Sequence, residues 1–443
     1  MFKSKIFRSS VILGVFSFLA SAMGLLRDRI FAGEFGASRT LDIYYSAFKI
    51  PDLVFNILLL GAVSSAFLPV FISEFKRDEL NAWRVAHNFT TVTFSLVLFF
   101  SGLLWLFAGS LASLIAPGFS GADRELVISL TRIMLLSPIL FSLSTICGSI
   151  LQSFERFWAY AIAPVLYNVG IIIGAVYFVP WMKLHNYPEV YGLGWGVVLG
   201  AFSHFVLQFL AARRAGFRFK MIFDFGDQHF RKIFRLMIPR TIGLGAYSID
   251  STVINAIAST LGIGSIAVLN VANNIQFVPI SVVGVSMAIA VFPRLSRHAS
   301  SGEHGEFEDK LKQSLRNTLL FVVPLSLAGF FLAHWGINLL FGVGLYQGSS
   351  VDLTAKVLMA FMIGIPAQSA IPILSRAFYA LQNTRTPVII SVTSILLNWF
   401  GAWLFALHYH WGVVGLAIAF AIAGNVNFFL LWVAFKRFFP VVK

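Results

Sequence analysis

The residues of this chain that could do chemistry are ionisable side chains set inside long apolar runs: Asp42, Lys49, Asp52, Arg132, Arg240, Asp250 and Arg376. A charge at the centre of an inserted helix costs about 2.5–3.5 kcal/mol, so each of these groups must face protein or water. Lys49 and Asp52 stand three residues apart on one helical face, a spacing that predicts an ion pair. Arg132, Arg240 and Arg376 are long enough to snorkel toward an interface. Asp250 lies a full turn or more inside its run and is the candidate proton or sodium site. Such a set can bind and release ions. It lacks the parts for making bonds: there is no Walker-type phosphate loop, no HExxH, no GxSxG and no long soluble segment to house a catalytic domain. His408 and His410 flank a short loop without further ligands and read as surface residues, so no metal and no cofactor is expected. Gly192, Gly194 and Gly196 follow no strand, which removes the dinucleotide reading. Gly170 with Gly174, and Gly196 with Gly200, read instead as close helix contacts.

The elements that carry these residues are membrane helices. Of 443 residues, 58% are hydrophobic and 12% charged, against about 25% charged in ordinary globular chains. The one cysteine, Cys147, excludes an internal disulfide. A hydrocarbon core about 30 Å thick needs about 20 apolar residues per helical span. Twelve blocks meet that length: 9–26, 44–71, 89–116, 126–151, 157–181, 191–212, 238–261, 266–292, 315–341, 357–379, 388–407 and 413–435. Strands of a barrel would alternate in polarity over about 10 residues, and no such alternation recurs. Prolines 51, 138, 164, 279, 324, 366 and 372 fall inside the blocks and permit bends.

The formal charge of +14 does not mark a nucleic-acid partner, because the cations lie between apolar blocks. Alternate loops hold 23 and six Lys plus Arg, with Lys3, Lys5 and Arg8 on the rich side; the bias predicts both termini in the cytoplasm. Ala20-Ser21-Ala22 has the form of a signal-peptide cleavage site, but the apolar run continues through Leu26, which favours a retained first span. The longest polar connection splits the chain into an N-terminal lobe, 1–217, a basic linker, 218–232, and a C-terminal lobe, 233–443. The halves match weakly at a nearly constant offset. Leu151-Gln152, Phe157 and Asn168 have the spacing of Leu381-Gln382, Pro387 and Asn398; Ala66 to Pro69 pairs with Ala290 to Pro293, and Pro51 with Pro279. Six spans per half give both halves one orientation. The expected fold is therefore all-α integral membrane, with about 12 transmembrane helices in two six-helix lobes of like orientation around a central cavity.

Three runs near the amino terminus carry a family resemblance: GLLRDRIFAGEFGAS from Gly24 to Ser38, LDIYYSAFKIPDL from Leu41 to Leu53, and GAVSSAFLPVF from Gly61 to Phe71. The chain resembles the MurJ (MviN) family of lipid II flippases, within the multidrug/oligosaccharidyl-lipid/polysaccharide exporter superfamily. Pro239-Arg240, the stretch from Leu261 to Pro293, and the surroundings of Asn168 and Asn398 extend the resemblance over the whole chain. It implies a flippase of the bacterial cytoplasmic membrane. Such a protein carries the lipid-linked peptidoglycan precursor from inner to outer leaflet by alternating access, with a cationic cavity for the pyrophosphate. The implied partners are that precursor, membrane lipids, a coupling proton or sodium ion, and cell-wall synthesis proteins. Guanidinium groups in a low-dielectric cavity suit phosphate oxygens. Carried over by position, Arg27 and Asp28 match the family's Arg-Asp pair, Asp42 its acidic residue at the start of the second span, and Lys49 its lysine before the proline. The sequence departs from the family at Ser21, Phe55 and Asn56, where arginines are common, and at Ala272-Asn273-Asn274, which stands for Ala-Asp-Arg. Typical members also carry two further helices. Arg27, Lys49 and Arg240 are then the remaining cations for the substrate, with Asn274 at the altered position. A flippase for another polyprenyl-linked saccharide, a multidrug antiporter of the same superfamily, and a non-transporting scaffold are the alternative readings.

Overall fold

A computed structural model describes residues 5–60 and 66–442, and the side chains of all of these except 5–10, 60, 238–240, 242–244 and 440–442. Lys3 and Lys443 of the charge count, and Gly61 to Ser65 of the third run, lie outside the described residues, as do the side chains of Lys5, Arg8 and Arg240. Every regular element among the described residues is helical. The first half runs through α1 (Lys5–Phe35), α2 (Arg39–Phe55), α3 (Leu68–Arg77), α4 (Glu79–Leu106), α5 (Ala108–Ile115), α6 (Gly121–Met134), α7 (Leu136–Ser153), α8 (Phe157–Ile173), α9 (Val179–Leu184) and α10 (Val190–Arg214). The second runs through α11 (Gln228–Ser259), α12 (Ser265–Pro279), α13 (Ser286–Ser300), α14 (His304–Phe331), α15 (Ala333–Phe341), α16 (Ser349–Ala380), α17 (Arg385–Ala402) and α18 (Gly412–Val442).

Among the described residues, ten helical stretches are long and apolar enough to cross a membrane, and they account for ten of the twelve apolar blocks. The second block is carried by α2, a π-helical segment at Asn56–Leu60 and α3; the seventh lies on α11. The protein is an all-α, multi-pass membrane protein. Two helices start well before their apolar blocks: α4 at Glu79 and α14 at His304. Their polar first turns continue the helix beyond the hydrocarbon region, where hydropathy no longer reports it.

The order of elements repeats. A long helix followed by a short one occurs as α4 with α5 and as α14 with α15, starting 225 residues apart. The π-helical segments Asn56–Leu60 and Ile280–Val285 follow α2 and α12; Gly174–Phe178 and Trp403–His408 follow α8 and α17. A π segment is uncommon enough that two matched pairs argue for a duplicated framework.

The chain forms two compact units. The first comprises 1–31 and 43–256, the second 32–42 and 257–443. In the first, α8 and α10 meet through glycine. A Cβ added at Gly170 would lie 2.3 Å from the Gly200 Cα, and one at Gly174 would lie 2.6 Å from the Gly196 Cα, so the spacing seen in the sequence does mark backbone contact. Pro51 cannot donate to the Ala47 carbonyl one turn back, and the Thr131 hydroxyl of α6 does so instead at 3.3 Å. Rings of Phe67, Phe71, Trp83, Phe154 and Phe217 stack and cross in an aromatic cluster. The second unit has its own cluster of Phe307, Phe378, Phe435 and Phe439. There the turn between α1 and α2 packs by backbone: Leu345 N–H donates to the Gly33 carbonyl at 2.9 Å. Gly36 at φ +63° and Gly344 at φ +52° take the left-handed conformation this approach requires.

Candidate substrate-binding site

The first unit holds a polar network inside its apolar bundle. Arg27 sits near the end of α1, with its side chain 23% exposed beside Asp28 at 7%. Its Nε and Nη2 donate to one carboxylate oxygen of Asp28 at 2.9 and 2.7 Å. Nη1 donates to Oδ1 of Asn168 on α8 at 3.2 Å. The Asn168 amide is oriented by its other end, whose Nδ2 donates to the Pro164 carbonyl at 3.1 Å and the Ala20 carbonyl at 3.4 Å. The guanidinium is thus held as a fork by a charged and a neutral acceptor, the geometry in which Arg is least replaceable by Lys.

The second cation, Lys49, is on α2. Its ammonium donates to the Ser251 hydroxyl of α11 at 3.0 Å. The ion pair expected with Asp52 does not form. The direct bond goes across to α11. One turn further along, Asn56 Nδ2 donates to the Ser248 hydroxyl at 3.2 Å. Asn255, also on α11, donates to the Ser46 hydroxyl at 3.2 Å and the Ile115 carbonyl at 3.0 Å. Three polar contacts at 248, 251 and 255 therefore line one stripe of α11, at the spacing of a single helical face.

Electrostatically, the two cations differ. Arg27 is matched by an adjacent carboxylate, while the direct partner of Lys49 is a neutral hydroxyl. A buried cation with a neutral first partner gains more from an arriving anion than one already paired. The arrangement can receive a phosphate or pyrophosphate.

The remaining expected residues fall elsewhere. Asp42 lies in the second unit, 1% exposed, where its two oxygens accept the Gly264 and Ala267 backbone N–H groups at 2.7 and 3.0 Å. Its carboxylate thus caps the start of α12, satisfying orphan donors and opposing the positive end of the helix. Asn274 is exposed on α12, also in the second unit. Arg240 lies on α11, its side chain outside the described residues. Asp250 is half-buried on α11. Arg132 Nε donates to the Trp105 carbonyl at 3.2 Å and its guanidinium lies 4.7 Å over the Trp105 ring. Arg376 lies 5.9 Å over Phe292.

Sequence reasoning missed Asn168, Ser251, Ser248 and Asn255 as site residues. Asn168 left one signal, its match to Asn398 in the repeat. The serines left none, because single hydroxyls are unremarkable in apolar helices.

A repeating order of membrane helices with a half-buried cationic network is the architecture of a membrane transporter. The chain belongs to the MurJ family: the family model for "Lipid II flippase MurJ" matches residues 31–443. The probable lipid II flippase MurJ of Buchnera aphidicola (subsp. Acyrthosiphon pisum) is 30% identical over 426 residues, covering 95% of this chain and 81% of that protein. The lipid II flippase MurJ of Burkholderia cenocepacia is 29% identical over 456 residues, covering 98% and 84%. Among solved structures, a lipid II flippase MurJ in an inward closed conformation superposes with a TM-score of 0.79 at 24% identity, covering 98% of this chain and 90% of that one. A multidrug resistance MATE family transporter superposes with a TM-score of 0.78 at 16% identity, covering 96% and 95%. The structural likenesses show a shared fold.

Proposed function

We propose that this protein is a flippase that translocates lipid II, the lipid-linked peptidoglycan precursor, from the inner to the outer leaflet of the bacterial cytoplasmic membrane by alternating access. The observation that carries the reading is the family match over residues 31–443. The buried network of the first unit supports it. Arg27 and Lys49 receive the pyrophosphate, Asp28 holds Arg27 in orientation, and Arg240 on α11 adds a third cation; Asp42 and Asn274 are the further candidates for the substrate. Asp250 is the coupling site for a proton or sodium ion. Both termini lie in the cytoplasm, supported by the 23-to-six bias of Lys and Arg between alternate loops. The two halves of six spans, 1–217 and 233–443 with the basic linker between them, are the repeating lobes.

Reconstitution into liposomes with lipid II on one leaflet tests the reading directly. Appearance of lipid II on the opposite leaflet, dependent on this protein, is the expected result. No transfer of lipid II, with transfer of another polyprenyl-linked saccharide or a drug cation, would overturn it. Rescue of a flippase-depleted bacterium separates the flippase from a scaffold, which has no substrate path.

A further inference from the structure

The connection between α10 and α11 is not a slack loop. After α10 the chain reverses at Gly216, φ +105°, and Phe217 is buried with its ring 5.5 Å from His87 and 6.3 Å from Trp83 on α4. It then runs extended along α4. The Thr91 hydroxyl, which donates to the His87 carbonyl of its own helix at 2.8 Å, accepts the Ile222 N–H at 3.2 Å. Asp224 exchanges two hydrogen bonds with the Asn88 amide at 2.7 and 2.9 Å, and its carboxylate meets Arg84 at 3.1 Å. Arg231 Nε donates to the Phe225 carbonyl at 2.9 Å, and Asp227 caps α11 through the His229 and Phe230 N–H groups.

Read along α4, the chain enters at His87, advances to Thr91 and returns to Arg84. Four residues of helix rise correspond to about 6 Å, and the advance is toward the apolar part of α4. The tip is apolar and outward: Phe219 is 37% exposed, Met221 71%, Phe223 58% and Phe225 61%. Alternate residues of an extended chain share one face. Arg218 and Lys220 alternate with this row, Arg213, Arg214, Arg231, Lys232 and Arg235 flank it along the chain, and all seven are exposed. An outward row of large apolar side chains with seven exposed cations in and beside it along the chain is complementary to one surface, the boundary between acyl chains and anionic head groups.

We propose that residues 217–225 form a finger that dips into the membrane interface, seating Phe219, Met221, Phe223 and Phe225 among the acyl chains while these cations hold anionic phospholipid head groups. The occupant is the bilayer in which the protein itself resides. The finger fixes the depth of α4 and ties the start of α11, whose polar stripe carries Ser248 and Ser251, to a lipid-dependent anchor. It rests on the membrane fold alone, so its failure leaves the flippase reading standing.

The test is a fluorescent label. The native thiol, Cys147, is buried at 2%, so Phe223→Cys in the full chain can be labelled selectively with an environment-sensitive dye. The protein is reconstituted in vesicles of phosphatidylcholine with phosphatidylglycerol. Expected are a blue-shifted emission, loss of fluorescence when nitroxide lipids labelled near the head group are included, and no loss on adding aqueous iodide. Ser301→Cys, in the exposed turn between α13 and α14, supplies the water-facing reference. Emission and iodide quenching at 223 equal to those at 301 would overturn the proposal. So would protection from both quenchers, which would mean a protein partner covers the finger. With Arg218→Gln and Lys220→Gln added, the quenching by nitroxide lipids is expected to fall; no fall would overturn the role of the anionic head groups.

Discussion

The ammonium of Lys49 on α2 rests 3.0 Å from the hydroxyl of Ser251 on α11, a bond between residues 202 positions apart that joins the charged part of the second span to the seventh. Its partner is uncharged, so the bond can be exchanged for a phosphate oxygen without baring a carboxylate. Ser251→Ala should cost about 0.5–1.5 kcal/mol of stability and leave lipid II binding close to wild type. Lys49→Met should weaken that binding roughly 10- to 100-fold, the loss of one charge-assisted contact. Titration with fluorescent lipid II in detergent checks both, and equal affinities for Lys49→Met and wild type would remove Lys49 from the site.

Arg27→Lys should fail almost as fully as Arg27→Ala in the liposome flipping assay. Lysine keeps the charge and cannot span Asp28 and Asn168 together. Asn168→Ala frees one edge of the guanidinium and should lower flipping with less effect on protein yield. Flipping by Arg27→Lys at the wild-type rate would show that charge alone suffices there.

Asp42 should show its role in unfolding before it shows it in transport. Asp42→Ala removes both bonds to the start of α12 and should cost about 1–2 kcal/mol. A lower Tm in detergent measures this, and Asp42→Asn, which retains an acceptor, should recover part of the loss. An unchanged Tm for Asp42→Ala would contradict the capping role.

Asp250→Asn should abolish the dependence of flipping on the coupling ion. The measurement is lipid II transfer in liposomes with an imposed proton or sodium gradient. If the variant responds to both gradients as the wild type does, coupling does not pass through Asp250.

Gly170→Ala should sharply reduce the yield of folded protein, since its Cβ would fall 2.3 Å from the Gly200 Cα. Gly102→Ala, where nothing lies within 4 Å, is the matched control and should be silent. Gel-filtration recovery in detergent reads both.

Spans were readable from the sequence because the bilayer imposes a length on apolar runs, and ten of twelve blocks became spanning helices among the described residues. The ends of α4 and α14 were not, because a helix continuing into water is polar and leaves no block to read. Arg27 and Asp28 were legible through the family resemblance, as its Arg-Asp pair. Their neighbour Asn168 was not, since hydropathy reports depth in the membrane and says nothing of which way around its axis a helix is turned. The same blindness hid the direct partner of Lys49: three-residue spacing offered Asp52 on the same helix, and the fold supplies Ser251 on another.

At the crossing of α8 and α10 there is no side chain at Gly170, Gly174, Gly196 or Gly200 to slide or repack. Two helices joined main chain to main chain behave as a single stiff plank. Any reshaping during a transport cycle must then be absorbed at the wider π turns and the proline bends, and the Asn168 clasp on Arg27 travels with that plank as one piece.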